Sequence, residues 1–223
     1  MLKFIITVSM LLAGVFCQAQ VSEIRNTGNF SEIAVGSGIQ LIFTESNAIQ
    51  VVKVEAANNE VLQQLITVSD GKRLTVSFKS QKKTTNTMKV FVAAKDIARF
   101  EAEKASQILL TNKVYAQDLK IILSSGAIFN GYVQTSKSVA VQASSKAVFN
   151  GRVETPRFSG DFSYGAKINV SGTAGIATIK GKSGAYCNGR NFITGQAKID
   201  SDNATVIITN KEEIVVKAVE KAS

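Results

Sequence analysis

Apolar and polar side chains alternate along short stretches in the second half of the chain. Three runs carry small or apolar residues at every second position: Leu119, Ile121 and Leu123, then Val139, Val141 and Ala143, then Phe158, Gly160 and Phe162. Successive side chains of a β-strand point to opposite faces of the sheet. The alternation therefore predicts short strands that each bury one face.

The strand pattern belongs to a repeat. Ser124–Gly131 reads SSGAIFNG and Ser144–Gly151 reads SSKAVFNG, with looser copies at Ser163–Val170 and Ser183–Gly189. The alanines that mark each copy are Ala105, Ala127, Ala147, Ala166, Ala185, Ala204 and Ala222, at spacings of 22, 20, 19, 19, 19 and 18 residues. A period near ~20 residues predicts stacked units that bury apolar surface against their neighbours. We therefore predict an all-β fold, a single-stranded parallel β-helix (solenoid).

Each copy has the same order of positions. The position two after the alanine is apolar, in Phe129, Phe149, Ile168, Cys187 and Ile207, with Leu109 as the earlier member. It is followed by Asn130, Asn150, Asn169 and Asn188, and then by Gly131, Gly151, Val170 and Gly189. Gly126, Gly165 and Gly184 can supply the positive φ of a sharp corner. The asparagines form a hydrogen-bonding ladder or face water; a row that binds ligand is the alternative.

The first hundred residues predict less regular elements of the same domain. The predicted strands are Asn29–Ala34, Gln40–Thr44, Val51–Ala56, Met88–Ala93 and Ile97–Ala102, with a hairpin of Ile66–Val68 and Leu74–Phe78 turning at Asp70-Gly71. Asn58–Leu65 predicts one short helix, with Asn58 as its N-cap and Val61, Leu62 and Leu65 on one face. Ser80–Thr87 predicts a loop. We expect one domain over residues 20–223, with longer coils over 20–100 and regular repeats over 101–223.

The N-terminus has the pattern of a secretory signal. Lys3 supplies the positive charge, Phe4–Phe16 the apolar run and Ala19 the small residue before the predicted cleavage, so residues 1–19 would be removed. A membrane anchor is disfavoured because the run is shorter than the ~20 residues that span a bilayer. A lipid on Cys17 is the other alternative, and the bulky Phe16 disfavours it. We expect an exported protein that is periplasmic, associated with the outer membrane or on the cell surface.

The residues with catalytic potential are few. The chain has no histidine, which excludes Ser-His-Asp and Cys-His catalysis and histidine-ligated zinc. Cys187 would be the only cysteine after cleavage and is interpreted as a small buried hydrophobe, with a reactive thiol as the alternative. Asp200 and Asp202 would share one strand face, but the turn at Asn203-Ala204 favours solvated carboxylates. We therefore predict no enzyme, and no catalytic, cofactor-binding or metal-binding residue.

The net charge indicates the binding partners only weakly. A formal net charge of +9 favours either plain solubility or anionic envelope partners such as lipopolysaccharide and acidic glycans. Lys72-Arg73 and Lys82-Lys83 are interpreted as solvated turns, and no motif indicates nucleic-acid binding.

The C-terminal segment predicts a further strand. Ile214–Ala218 predicts a last strand, and Glu220–Ser223 repeats the pattern of Glu103–Ser106. Because an open solenoid end exposes strand edges, pairing between copies into a homo-oligomer is a further hypothesis.

Several segments together resemble a known family. They are FSEIAVGSGIQLIF (Phe30–Phe43), VKVEAANNEVLQQL (Val52–Leu65), DGKRLTV (Asp70–Val76) and the serial SSGA and SSKA repeats. This order of features resembles the putative auto-transporter adhesin head GIN domain family of exported proteins from Bacteroidetes-type bacteria. The resemblance implies a right-handed parallel β-helix-like fold outside the cytoplasm, and it brings no catalytic residues.

Three functions follow as hypotheses. The first is a non-enzymatic, adhesin-like module that presents a β face to a glycan or a surface protein. The second is a structural or assembly protein that associates through open solenoid ends. The third, which we rank last, is a polysaccharide-active enzyme, because β-helices also host such enzymes and their sites need clustered carboxylates.

Overall fold

The computed structural model describes residues 20–79 and 88–210 and the backbone of the strand Glu213–Ala218. The strands are β1 (Val21–Arg25), β2 (Glu32–Val35), β3 (Gln40–Glu45), β4 (Val51–Ala56), β5 (Leu65–Ser69), β6 (Arg73–Phe78), β7 (Lys89–Ala94), β8 (Arg99–Ala102), β9 (Gln107–Leu110), β10 (Val114–Leu123), β11 (Ile128–Ala143), β12 (Val148–Phe162), β13 (Lys167–Lys182), β14 (Tyr186–Asp202), β15 (Thr205–Asn210) and β16 (Glu213–Ala218). The helix α1 spans Asn59–Gln64. The predicted signal segment, the Ser80–Thr87 loop with Lys82-Lys83, and the Glu220–Ser223 echo with Ala222 lie outside the described residues.

The fold is the predicted β-solenoid. In each regular coil a corner leads into a first wall, a bend and a second wall; in β12 these are Val148–Thr155, Pro156 and Arg157–Phe162. The first-wall strands pair in parallel at offsets of 21, 20, 19, 19 and 19 residues from Gln107 to Thr205. Outside the register shifts, each residue of a wall therefore lies beside its equivalent in the next coil, and equivalent residues form columns along the solenoid.

The corners are tight turns with two consecutive residues in the left-handed region. Ser125 and Gly126 have φ of 52° and 74°, and the Ala127 N–H donates to the Ser124 carbonyl at 3.1 Å. Glycine takes this conformation without strain. Lys146 takes the glycine position of the next corner with φ of 62°, so the corner geometry persists where the sequence departs from Ser-Gly-Ala.

The first predicted alanine was placed one residue too early. Ala105 is exposed and has a φ of 58°, which is the position of Gly126. The buried residue of the alanine column is Ser106, because Gln107 pairs with Ile128. Its hydroxyl donates to the Val35 carbonyl at 2.9 Å, a contact that alanine cannot make. The run Glu-Lys-Ala-Ser therefore contains the corner, but its serine and not its alanine enters the core.

The core contains the apolar columns, with two members corrected. Phe129 and Phe149 stack at 5.3 Å between ring centroids, followed in the same column by Ile168 and Cys187. Before Phe129 the column residue is Ile108, and Leu109 points outward with 37% exposure. After Cys187 it is Val206, whereas Ile207 continues the asparagine column. Both errors arise from one-residue shifts in register, which move a side chain to the other face of the strand.

The N-terminal segment adds antiparallel strands and a helix to the coils. β2, β3, β6 and β7 pair in parallel within the walls, but β4 pairs antiparallel with β1 and β7, and β5 pairs antiparallel with β6. The predicted hairpin and helix are confirmed. The Asn58 side chain accepts from the Val61 N–H at 2.9 Å, and Val61, Leu62 and Leu65 are buried.

Candidate functional site

Of the residues considered for chemistry from the sequence, Cys187 lies in the core, whereas Asp200 and Asp202 share an exposed strand face as predicted. Cys187 is 1% exposed in the core and burial raises its pKa to about 12, so it is a buried hydrophobe as predicted. Asp200 and Asp202 are both exposed on β14. Within residues 20–79 and 88–210, no three acidic, cysteine or histidine residues are grouped as metal ligands.

Of the basic pair Lys72-Arg73, Lys72 lies in the solvated turn as predicted, with its side chain 74% exposed, whereas Arg73 does not. Arg73 lies in β6, and its guanidinium lies 3.2 Å from Glu32 and 3.6 Å from Glu101. Lys72 reaches the other oxygen of Glu32 at 3.1 Å. Burial acts to raise the pKa of Glu32, but hydrogen bonds from Lys72 and Arg73 outweigh it and lower that pKa. The pair therefore supports the second wall and does not supply free positive charge.

The asparagine column is a hydrogen-bonded ladder over three coils, which is one of the two arrangements expected from the sequence. The Asn150 amide donates to the Asn130 carbonyl oxygen at 2.9 Å, and the Asn169 amide donates to Asn150 at 2.8 Å. The amides point the same way along the solenoid, so the ladder ends with the side-chain oxygen of Asn169. In the next coil the Asn188 oxygen accepts from the backbone N–H of Arg190 at 3.4 Å, and its amide no longer continues the row.

The neighbouring outward column places an aromatic ring between two cations. Lys113 Nζ lies 4.3 Å from the Tyr132 ring centroid, and Arg152 Cζ lies 4.9 Å from it. Interaction with Tyr132, together with Arg152 and Lys113, lowers the pKa of Glu154. Cation–π contacts of this kind are worth ~0.5–1 kcal/mol at exposed sites. Because a cation from each adjacent coil lies against its ring, Tyr132 makes its contacts within the protein.

A polar groove of about 320 Å³ lies beside this column, over the coils of β12, β13 and β14. We call it the asparagine groove. Its polar lining consists of Asn150, Arg152, Asn169, Ser171, Asn188, Arg190 and Asn191. Amides, a hydroxyl and two guanidinium groups can together recognise hydroxyls and an acidic group.

A second, larger groove of about 880 Å³ follows the bend of the coils. We call it the bend groove. Its floor is backbone, because Pro156, Gly175 and Gly195 succeed one another at the bend, and a Cβ on Gly175 would lie 2.7 Å from the Pro156 carbonyl oxygen. Ile176 and Ile193, which are 45% and 49% exposed, flank the floor, and Lys137 and Arg157 add positive charge.

The two grooves belong to one outward surface. Ser171 lines the asparagine groove and Thr173 lines the bend groove. Residues two apart on a strand are separated by ~6.6 Å, so a ligand longer than one sugar ring could reach both grooves. We call this the groove face.

The sequence did not identify either groove. In the sequence, the bend is marked only by Pro156 and by glycines that lie outside the repeated Ser-Gly-Ala motif. The asparagine groove depends on a bulge at Arg190, where β14 has one more residue than β13 between Asn188 and Asn191. Such an insertion is visible in the sequence only after the coils are aligned column by column.

The fold and its surface define a class, a β-solenoid with ligand-sized grooves on its outer walls. The chain belongs to the family described as "Putative auto-transporter adhesin, head GIN domain", which matches residues 29–223. A comparison with curated proteins gave no match.

Solved structures share the fold. A putative adhesin from Parabacteroides merdae is 16% identical with a TM-score of 0.68, and the match covers 83% of this chain and 80% of that one. A putative lipid binding protein from Parabacteroides distasonis is 14% identical with a TM-score of 0.70, covering 84% and 81%. A putative adhesin from Bacteroides fragilis is 13% identical with a TM-score of 0.64, covering 86% and 96%. Of the described helical segments, none has the length and apolar character to cross a membrane.

Proposed function

We propose that this protein is an exported, non-enzymatic, adhesin-like binding module that presents its groove face to a glycan or a protein of a cell surface. Membership of a family described as adhesins supports a surface-binding role. The secretory pattern of residues 1–19 supports export, with cleavage after Ala19. The absence of histidine from the chain supports a role without catalysis.

The observation that carries the proposal is the bend groove. A floor of backbone lets a ligand approach closely, because Gly175 and Gly195 present no side chain. The exposed Ile176 and Ile193 offer apolar contact to the less polar faces of a ligand, and the flanking Lys137 and Arg157 suit an anionic one. Because the groove runs along stacked coils, it fits an extended polymer better than a compact molecule.

The test is retention by the producing organism's envelope fractions. The exported protein would be mixed with these fractions and with soluble acidic glycans at low and high salt, and the bound fraction measured by co-sedimentation. We expect retention that survives high salt, because a shaped groove does not depend on screened charge alone. No retention at either salt would refute the proposal.

Variants assign the binding to the groove. Ile176→Asp and Ile193→Asp should reduce retention several-fold, since each places a charge beside the groove floor. Ile49→Asp is the matched control, because Ile49 is 86% exposed in the N-terminal segment, away from the groove. Equal loss in the control and the groove variants would contradict the assignment.

Vesicles of anionic lipid would serve as a separate probe, because one structural neighbour is described as a putative lipid binding protein.

Assembly through a strand edge is the second candidate function. The second-wall part of β14, residues 196–202, pairs with β13, and among the described residues no strand pairs with its other edge. An unpaired edge is a template for another strand. Light scattering over a wide concentration range tests this candidate. A rising mass would favour assembly, and a constant monomer mass would exclude it.

A further inference from the structure

The asparagine groove is built around a break in the repeat. Between Asn188 and Asn191, β14 contains Gly189 and Arg190 where β13 contains only Val170. On the other side, the register with β15 resumes only at Ile193, which pairs with Thr209. The Thr209 hydroxyl donates to the Arg190 carbonyl at 2.6 Å, which fixes the bulge. A bulge re-aims a side chain, and here it places Arg190 in the groove lining.

The second guanidinium of the groove comes from a regular coil. Arg152 donates to Glu154 at 3.0 Å and lies against Tyr132. Those contacts orient its side chain, which remains 60% exposed. Lys167 is also exposed on the same wall, two residues before Asn169. Glu154 is the carboxylate near these groups, and it is held by Arg152 and, at 3.8 Å, by Lys113.

The groove also offers neutral hydrogen-bonding groups. The Asn169 carbonyl oxygen ends the ladder of aligned amides, so it lies at the negative end of that row. An oxygen in this position suits a hydroxyl donor. The Ser171 hydroxyl and the Asn191 amide complete a set that can both donate and accept.

From this set of groups we propose that the asparagine groove binds an acidic sugar residue, a uronate or a sulfated sugar, within a polysaccharide. Arg190 and Arg152 bind the carboxylate or sulfate, because a guanidinium matches the two oxygens of such a group. Asn169 and Ser171 bind ring hydroxyls. A neutral sugar would offer Arg190 no anionic partner, and inorganic phosphate would leave the hydroxyl acceptor unused. The inference rests on the proposed function, since it gives the ligand of that groove face a chemical class.

Titration calorimetry with defined probes tests the proposal. The probes are oligogalacturonate for the carboxylate, dextran sulfate for the sulfate and dextran as the neutral control. We expect binding of at least one acidic probe and none of dextran. Dextran binding equal to that of the acidic probes, or no binding of either acidic probe, would overturn the proposal.

Variants separate a built site from general positive charge. Arg190→Ala should weaken binding of the acidic probe by about tenfold or more, because it removes charge-assisted hydrogen bonds to the carboxylate or sulfate. Arg190→Lys keeps the charge without the planar fork and should give an intermediate loss. Lys180→Ala is the control: it removes the same charge from an exposed position on the second wall, beyond the bend. If Lys180→Ala weakens binding as much as Arg190→Ala, only net charge is being sensed and the proposal fails.

A second variant covers the case in which the bulge loses its shape. Asn169→Asp keeps the side-chain size but places a negative charge beside the sugar, and it should also abolish binding of the acidic probes. Unchanged affinity in Asn169→Asp would overturn the proposal. Envelope retention measured on the same variants separates the two ideas, since retention without acidic-sugar binding would refute this inference and leave the proposed function standing.

Discussion

The regular coils over residues 106–210 and the N-terminal segment over residues 20–98 build the same two walls with different pairing. In the coils, each first-wall strand lies parallel to its equivalent about one repeat away. In the N-terminal segment, β4 lies antiparallel to β1 and β7, and β5 turns back on β6. In the coils, positions outside the register shifts belong to columns, whereas β1, β4 and β5 of the N-terminal segment lie antiparallel to their neighbours.

This difference explains the role of the N-terminal segment. A solenoid cannot end in a regular coil without exposing a strand edge and the end of its core. Here α1 lies in the chain between β4 and β5, and its buried Val61 and Leu62 belong to the same core as the coils. The antiparallel strands and the helix therefore close one end of the solenoid, and the coils present the groove face.

The largest predicted effect tests how strictly the columns constrain the backbone. Gly172 has a φ of +104°, and a Cβ there would collide with the backbone carbonyl of Val153 in the preceding coil. Gly172→Ala should therefore lower the free energy of unfolding by about 3 kcal/mol, as measured by urea denaturation.

Gly28→Ala is the matched control in the N-terminal segment. Gly28 has a φ of +63°, and no atom lies within 4 Å of the Cβ position. Its substitution should cost only ~1 kcal/mol, the strain of a left-handed alanine. Equal losses in the two variants would show that the close stacking of coils adds nothing to the backbone strain.

The sequence predicted the stacked columns but not their exact register. The asparagine column, the corners at Gly126, Gly165 and Gly184, and the buried Phe129 and Phe149 all follow from period and alternation. Leu109 and Ala105 were misplaced because the first coil has a serine where later coils have alanine, and a one-residue shift reverses every side chain. The grooves could not be predicted, because they lie where Pro156 and the Arg190 bulge interrupt the repeat of apolar and polar positions. That repeat is what predicted the columns.

A medium effect is expected from a carboxylate in the N-terminal segment. Burial, together with the charge of Asp96, raises the pKa of Glu45 from 4.5 to about 7, and one of its oxygens is buried without a hydrogen-bond partner among the described residues. Because the folded pKa lies above the unfolded one, this group destabilises the fold increasingly as pH rises from the unfolded pKa through the folded one. The charged form is therefore unfavourable at neutral pH.

Glu45→Gln tests this cost directly. The variant should be more stable than the parent by about 1 kcal/mol at about pH 8, after allowing for the solvent that reaches the carboxylate. At about pH 4 the two should unfold together, since Glu45 is then protonated in both states. Glu55→Gln is the control, because Glu55 lies in the same N-terminal segment and pairs with Lys53 at 2.7 Å. A pH-independent difference would indicate that packing and not ionisation is responsible.

The smallest predicted effect concerns the buried column that contains Cys187. Cys187 follows Phe129, Phe149 and Ile168 within the core and is 1% exposed. Burial raises its pKa to about 12, so the thiol stays protonated and unreactive at about pH 8. A Cys17→Ser background makes it the sole thiol, and the folded protein should then not react with a thiol-specific disulfide reagent over hours. Full reaction is expected in urea, where the protein is unfolded and the Cys187 thiol is exposed. Rapid labelling of the folded protein would mean that the coils open locally at Cys187. The columns of the regular coils would then not be more closely packed than the irregular N-terminal segment.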